Sequence, residues 1–64
     1  MKTWLIDLRK SKGLTQEELA KIVGISQNSI SRFETGESIP KPVIAKKIAK
    51  ILCFEWWKLY EDND

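Results

Sequence analysis

The strongest constraint on this chain lies between Thr15 and Gly36. Thr15-Gln16-Glu17-Glu18 has the form of a capping box, in which a Thr hydroxyl and a Glu carboxylate three residues on satisfy each other's backbone N–H groups at a helix start. Leu19 and Val23 then fall four apart on one helical face, with Ile22 beside them. Gly24 stops that helix. Ser26 is a natural N-cap for a second one running to about Thr35, where Gly36 ends it. Two helices joined by so short a turn cannot lie antiparallel and must cross steeply. The crossing needs a small side chain where the backbones approach, and Ala20 supplies it. It needs a residue tolerant of positive φ in the turn, and Gly24 supplies that. Leu19, Val23, Ile25, Ile30 and Phe33 are the apolar groups that fix the angle. A generic helical corner with no ligand meets the same spacing, so spacing alone leaves the function open.

The flanking segments also predict helices. The first runs from about Trp4 to Lys12 with Thr3 as N-cap, Leu5 and Leu8 on one face and Trp4 at its edge. Arg9, Lys10 and Lys12 load its last turn with positive charge, which suits the helix dipole, and Gly13 follows as a left-handed terminator. Glu37 to Lys41 is a loop containing Pro40, and Pro42 fits the first position of a fourth helix. Ile44, Ala45, Ile48, Ile51 and Leu52 give that helix its buried stripe, and Lys46, Lys47 and Lys50 its wet face. Cys53 falls where a Gly is expected between helices. A short fifth helix, roughly Glu55 to Tyr60, carries Trp56, Trp57, Leu59 and Tyr60, and Trp56 and Tyr60 are expected to seal the core against helix one. No segment alternates apolar and polar residues with β-branched enrichment, so no strand is predicted. The chain reads as all-α, a compact five-helix single domain over residues 1–64, with Glu61-Asp62-Asn63-Asp64 as a frayed acidic end.

Size and composition narrow the chemistry. A chain of 64 residues buries only about 60% of the surface its unfolded form exposes. One cysteine excludes an internal disulfide, and the absence of histidine leaves nothing to build a zinc site. Stability must come from a tight core or partly from oligomerisation. No signal-peptide pattern and no apolar run near 18 residues point to a soluble, cytoplasmic protein without a membrane segment. Enzymatic function is not expected. There is no metal constellation or Gly-rich phosphate loop, nothing to activate a Ser or Cys, and no room for a sizeable pocket. No cofactor and no small-molecule ligand are expected. The net charge of +2 says little about nucleic acid by itself. Its distribution says more, because the first twelve residues hold Lys2, Arg9, Lys10 and Lys12 against Asp7 alone, while the acidic tail offsets a basic body.

The outer face of the third helix is unusual for a helix used only in packing. Instead of Glu and Lys it carries Gln27, Asn28, Ser29, Ser31 and Arg32. Amides and guanidinium make bidentate hydrogen bonds to base edges, Asn or Gln to adenine and Arg to guanine, and a neutral amide face does not repel phosphate. The plainer reading is that Ser, Gln and Asn cap and solvate a helix start, which holds fully for Ser26 and partly for Gln27 and Asn28.

At this point GLTQEELAKIVGISQNSISRFETG resembles the helix-turn-helix of the phage lambda Cro and repressor type, often called the XRE family. The resemblance covers nearly the whole chain and implies a lambda-repressor-like DNA-binding domain, with its helix-turn-helix at helices two and three and the third helix in the major groove of double-stranded DNA. It implies that Gln27, Asn28 and Arg32 contact bases, with Ser31 close enough to contribute. Gln16 matches a phosphate-contacting position, where its amide and the nearby backbone N–H groups suit an anion. Thr35 and the loop after it match further phosphate contacts, with Lys41 the loop's one basic residue. Arg9 and Glu34 match a partly buried salt bridge linking helices one and three, which accounts for an acid on a helix that meets DNA. The chain departs from the pattern in two places. The loop Glu37-Ser38-Ile39-Pro40-Lys41 is less basic than in some relatives, and Cys53 replaces a common Gly, with a small buried residue expected there.

Relatives of this fold dimerise through the helix 3–4 region and the C-terminal helix, which implies a homodimer with an exposed Trp57 in or near its twofold interface. Two recognition helices about 34 Å apart read a pseudo-palindrome. The resulting expectation is a dimeric, phage- or prophage-type repressor. The alternative is a protein-interaction module keeping the same fold, such as an antitoxin, with its surface centred on Trp56, Trp57 and Tyr60.

Overall fold

A computed structural model describes residues 1–61 and contains helices only among them. The elements are α1 (Thr3–Ser11), α2 (Gln16–Val23), α3 (Gln27–Thr35), α4 (Pro42–Leu52) and α5 (Lys58–Glu61). Glu61 closes α5, and the rest of the expected acidic end, Asp62-Asn63-Asp64, lies outside the described residues.

The capping box at α2 is complete. The Glu18 N–H donates to Thr15 Oγ1 at 3.0 Å and the Thr15 N–H donates to Glu18 Oε1 at 2.8 Å. α2 ends at Gly24, which takes φ 90°, while the Ile25 N–H donates back to the Ala20 carbonyl at 2.9 Å. This left-handed terminator turns the chain sharply enough for α3 to start within three residues. Ser26 caps α3, its Oγ accepting the Ser29 N–H at 3.2 Å. Leu19, Ala20, Val23, Ile30 and Phe33 meet beneath this corner. Leu5 of α1, Ala45, Ile48 and Leu52 of α4 and Leu59 of α5 close the core around them. Ile22, placed beside Leu19 and Val23 by the sequence, points outward and is 58% exposed.

Three expectations at the ends of the chain are corrected. Thr3 is the first residue of α1, not its cap. Lys2 holds the cap position without a side-chain bond, because its backbone N–H is tied to the Glu34 carbonyl at 2.8 Å and the helix starts from that anchor. The fifth helix is four residues long, and Trp56 and Trp57 precede it in a turn. Trp56 packs half-buried against the core, whereas Tyr60 is 38% exposed and does not seal it. They pack edge-to-face on each other, Lys46 of α4 lies over the Trp56 ring, and the Tyr60 hydroxyl donates to the Pro40 carbonyl at 2.6 Å. Phe54 does the work against α1, meeting Trp4 edge-to-face at 5.0 Å, while Leu59 is the residue driven fully into the core.

Cys53 ends α4 with φ 62°, the only non-glycine among the described residues with positive φ. The Phe54 N–H donates to the Ala49 carbonyl at 3.1 Å, the same closing bond that ends α2. Its side chain is exposed, not buried as expected. A terminating left-handed residue stands off the helix end, so the thiol meets solvent.

Candidate nucleic-acid interface

α3 is divided lengthwise. At about 100° of rotation per residue, Phe33, Ile30 and Glu34 occupy one arc and face inward. Gln27, Ser31, Asn28 and Arg32 fill an opposite arc of about 140°. Gln27, Asn28 and Arg32 are exposed and Ser31 is half-buried. Gln27 and Ser31 form one row along the helix, Asn28 and Arg32 the next.

A shallow hollow lies between the start of α2 and this face, lined by Gln16, Gln27, Asn28 and Ser31. The corner geometry thus brings Gln16, the first residue of α2, against three of the four residues expected to read bases. Arg32 lies outside the hollow, one turn beyond Asn28, as the one basic residue in the last turn of α3. Among the described residues no group of three or more His, Cys, Asp and Glu side chains is placed to hold a metal ion.

Arg9, Glu34 and Gln16 meet behind the hollow. Arg9 Nε donates to Glu34 Oε2 at 2.6 Å, with a longer contact from Nη2 to Oε1 at 3.4 Å. Arg9 Nη1 donates to the Leu14 carbonyl at 2.8 Å. Both residues are buried, Arg9 at 8% and Glu34 at 2% exposed. Burial on that scale makes the pair costly to break one-sidedly. Gln16 Nε2 then donates to Glu34 Oε1 at 2.8 Å. This last bond has no counterpart in the sequence reading, because nothing local relates residues eighteen positions apart. The capping box consumes the Thr15 and Glu18 N–H groups and leaves those of Gln16 and Glu17 at the helix start without an intrahelical partner.

The residues beyond α3 are less uniformly suited to phosphate. The Thr35 hydroxyl lies 3.2 Å from both the Arg32 carbonyl and Glu37 Oε1, so an acid sits beside a group expected to meet DNA backbone. Lys41 caps α4 through its backbone and leaves its side chain exposed. Near the C-terminal helix Trp57 is 47% and Tyr60 38% exposed. The Tyr60–Pro40 bond sets α5 beside the loop carrying Ile39, itself 56% exposed. No helix among the described residues is long and apolar enough to cross a membrane.

A protein-family model described as helix-turn-helix matches residues 5–52. The chain is 39% identical over 62 residues to YqaF of Bacillus subtilis, an HTH-type transcriptional regulator itself uncharacterised, covering 97% of this chain and 82% of that one. It is 42% identical over 52 residues to an uncharacterised HTH-type transcriptional regulator of Methanothermobacter thermautotrophicus, covering 81% and 75%. It is also 44% identical over 55 residues to the antitoxin PezA of Streptococcus pneumoniae, covering 86% of this chain but 32% of that protein. No solved structure gives a significant match.

Proposed function

The chain belongs to the XRE-type helix-turn-helix family of DNA-binding transcriptional regulators, and from that premise we propose that it is a sequence-specific repressor of the phage or prophage type. It binds a pseudo-palindromic operator in double-stranded DNA as a homodimer. The observation that carries this reading is the outer face of α3, where Gln27, Asn28, Ser31 and Arg32 stand together with no acid among them, while Ile30, Phe33 and Glu34 take the core side. These side chains suit direct readout of base edges in the major groove. Gln16 and the first-turn N–H groups of α2 suit a phosphate at the groove's rim, where the helix dipole adds partial positive charge. Thr35 and Lys41 extend that backbone track, and the Arg9–Glu34 pair holds α3 at its angle.

Dimerisation supplies what one short helix lacks. A single α3 reaches a few base pairs, whereas two related by a twofold axis reach two half-sites about 34 Å apart. Exposed Trp57, with Tyr60 and Ile39 around α5, is the apolar surface that supports this part of the reading.

Selection of bound sequences from random duplex DNA tests the proposal. The expected result is an inverted repeat, bound with an affinity that falls steeply with salt. Asn28→Ala and Arg32→Ala each relax specificity at one position per half-site by about 1–3 kcal/mol. Enrichment of no sequence, or Asn28 and Arg32 variants with wild-type preference, refutes the assigned reading face. The likeness to an antitoxin favours a second reading, in which the Trp57 face holds a protein partner. A partner that co-purifies and is lost with Trp57→Glu, without salt-sensitive duplex binding, selects it.

A further inference from the structure

The bond from Gln16 Nε2 to Glu34 Oε1, at 2.8 Å, links the buried ion pair to the hollow on the reading face. A carboxylate has no hydrogen to donate, so the amide group turned toward Glu34 must be the nitrogen. The two ends of a Gln amide point in opposite senses. Fixing Nε2 on Glu34 therefore turns Oε1 away from it and leaves one amide hydrogen of Gln16 uncommitted. Arg9 makes the arrangement one-way. Its Nε and Nη2 groups hold the carboxylate from the other side and supply the charge that keeps it buried beside a position expected to meet phosphate. Glu34 itself is 2% exposed and cannot touch DNA.

We propose that Glu34, clamped by Arg9, is a positioning residue for nucleic-acid binding: it sets the orientation of the Gln16 amide against Gln27, Asn28 and Ser31. This rests on the reading above, in which Gln16 meets the DNA. The ion pair and the reading face then act as one coupled unit, not as a scaffold and a surface that happen to be neighbours. A neutral amide at position 34 would still accept from Arg9 through its oxygen. It would offer Gln16 a donor as well as an acceptor, so the Gln16 amide could reverse.

A double-mutant cycle tests the coupling. Duplex affinity is measured for the wild type, Glu34→Gln, Gln16→Ala and the double variant, under conditions where urea denaturation shows each to be folded. With Gln16 present, Glu34→Gln is expected to weaken binding about three- to tenfold, the range set by one misdirected hydrogen bond. In the Gln16→Ala background, the same change is expected to alter affinity less than about twofold. A purely structural Glu34 gives equal effects in both backgrounds, or a loss of stability with affinity unchanged, and either result overturns the proposal. Should Glu34→Gln fail to fold, the side-chain NH2 resonances of the two glutamines decide on wild-type protein. Gln16 is expected to show a pair displaced from the ordinary glutamine positions and slow to exchange with solvent, and Gln27 a fast-exchanging pair at the ordinary positions; an ordinary, fast-exchanging Gln16 pair overturns the proposal. A wild-type chain that binds no duplex removes the functional reading and this inference together, whereas binding with additive effects removes the inference alone.

Discussion

Replacing Arg9 with alanine removes one partner from the most deeply buried charged contact of the domain. Three bonds go at once: Arg9 Nε to Glu34 at 2.6 Å, the longer Nη2 contact, and Nη1 to the Leu14 carbonyl. Glu34 stays behind at 2% exposed, with Gln16 as its one remaining side-chain partner. An uncompensated buried charge of this kind costs about 3–5 kcal/mol. A domain of this size has roughly 3–10 kcal/mol in total, so Arg9→Ala is expected to leave a large fraction unfolded without denaturant. Replacing both partners, as Arg9→Met with Glu34→Leu, removes the stranded charge. That pair should lie no more than about 1 kcal/mol below the wild type, or above it. The assay is urea unfolding followed by tryptophan fluorescence, to which Trp4 against Phe54 is well placed to report, with far-ultraviolet circular dichroism as a second probe. With a slope near 1 kcal/mol/M, Arg9→Ala should lower the midpoint by about 3 M or more, and the double variant should recover most of that. A midpoint drop below about 1 M for Arg9→Ala, at unchanged slope, refutes the argument that burial makes this pair asymmetric.

Three other changes probe separate parts of the molecule. Cys53→Gly relieves a left-handed non-glycine, at φ 62°, but frees the unfolded chain. The net gain is about 0.5–1 kcal/mol, read as a rise of roughly 3–6 °C in melting temperature, and no rise means that the thiol makes a compensating contact. Glu37→Gln removes the acid beside Thr35 and should tighten duplex binding about threefold at low salt, an effect that fades as salt screens it. Unchanged affinity would place Thr35 away from the DNA backbone. Trp57→Glu, at a residue 47% exposed, should leave the fold intact, shift sedimentation from dimer to monomer and weaken binding to the full operator more than to a half-site. Wild-type sedimentation of the variant puts the twofold interface elsewhere.

The helix-turn-helix was legible because its determinants are local. A capping box, a glycine with positive φ and a serine N-cap act within a few residues of themselves, and all three occur where the residue types demand. The C-terminal region was less legible because its order is tertiary. Trp56 and Tyr60 are four apart, which on a helix would place them on one face, but α5 starts only at Lys58. Trp56 instead belongs to a turn and faces α4, and Phe54, outside any helix, takes the place beside Trp4. Periodicity cannot assign faces to a helix that barely completes one turn. Cys53 shows the same limit: the sequence marks a position for glycine, and only the backbone shows that a left-handed residue there carries its side chain into solvent.

The proposed reading face stands out in the sequence as chemistry but not as geometry. Gln27, Asn28, Ser31 and Arg32 stand out because amides and guanidinium replace the usual charges on an outer face, a signal carried by composition alone. Gln16 offered two signals that pull apart. As the first residue of α2 it suits an anion, yet the structure commits one of its amide hydrogens to Glu34 and sets it in the hollow with Gln27. Helix starts and reading faces are ordinarily separable, because capping is local and recognition is not. Here the steep crossing at Gly24 brings the start of α2 across the face of α3, so the residue proposed to hold the DNA backbone also borders those proposed to read bases. An acid buried at the end of α3 is therefore compatible with DNA binding on two counts. Arg9 neutralises it, and its second oxygen is occupied by Gln16, the residue proposed to meet phosphate beside the reading face.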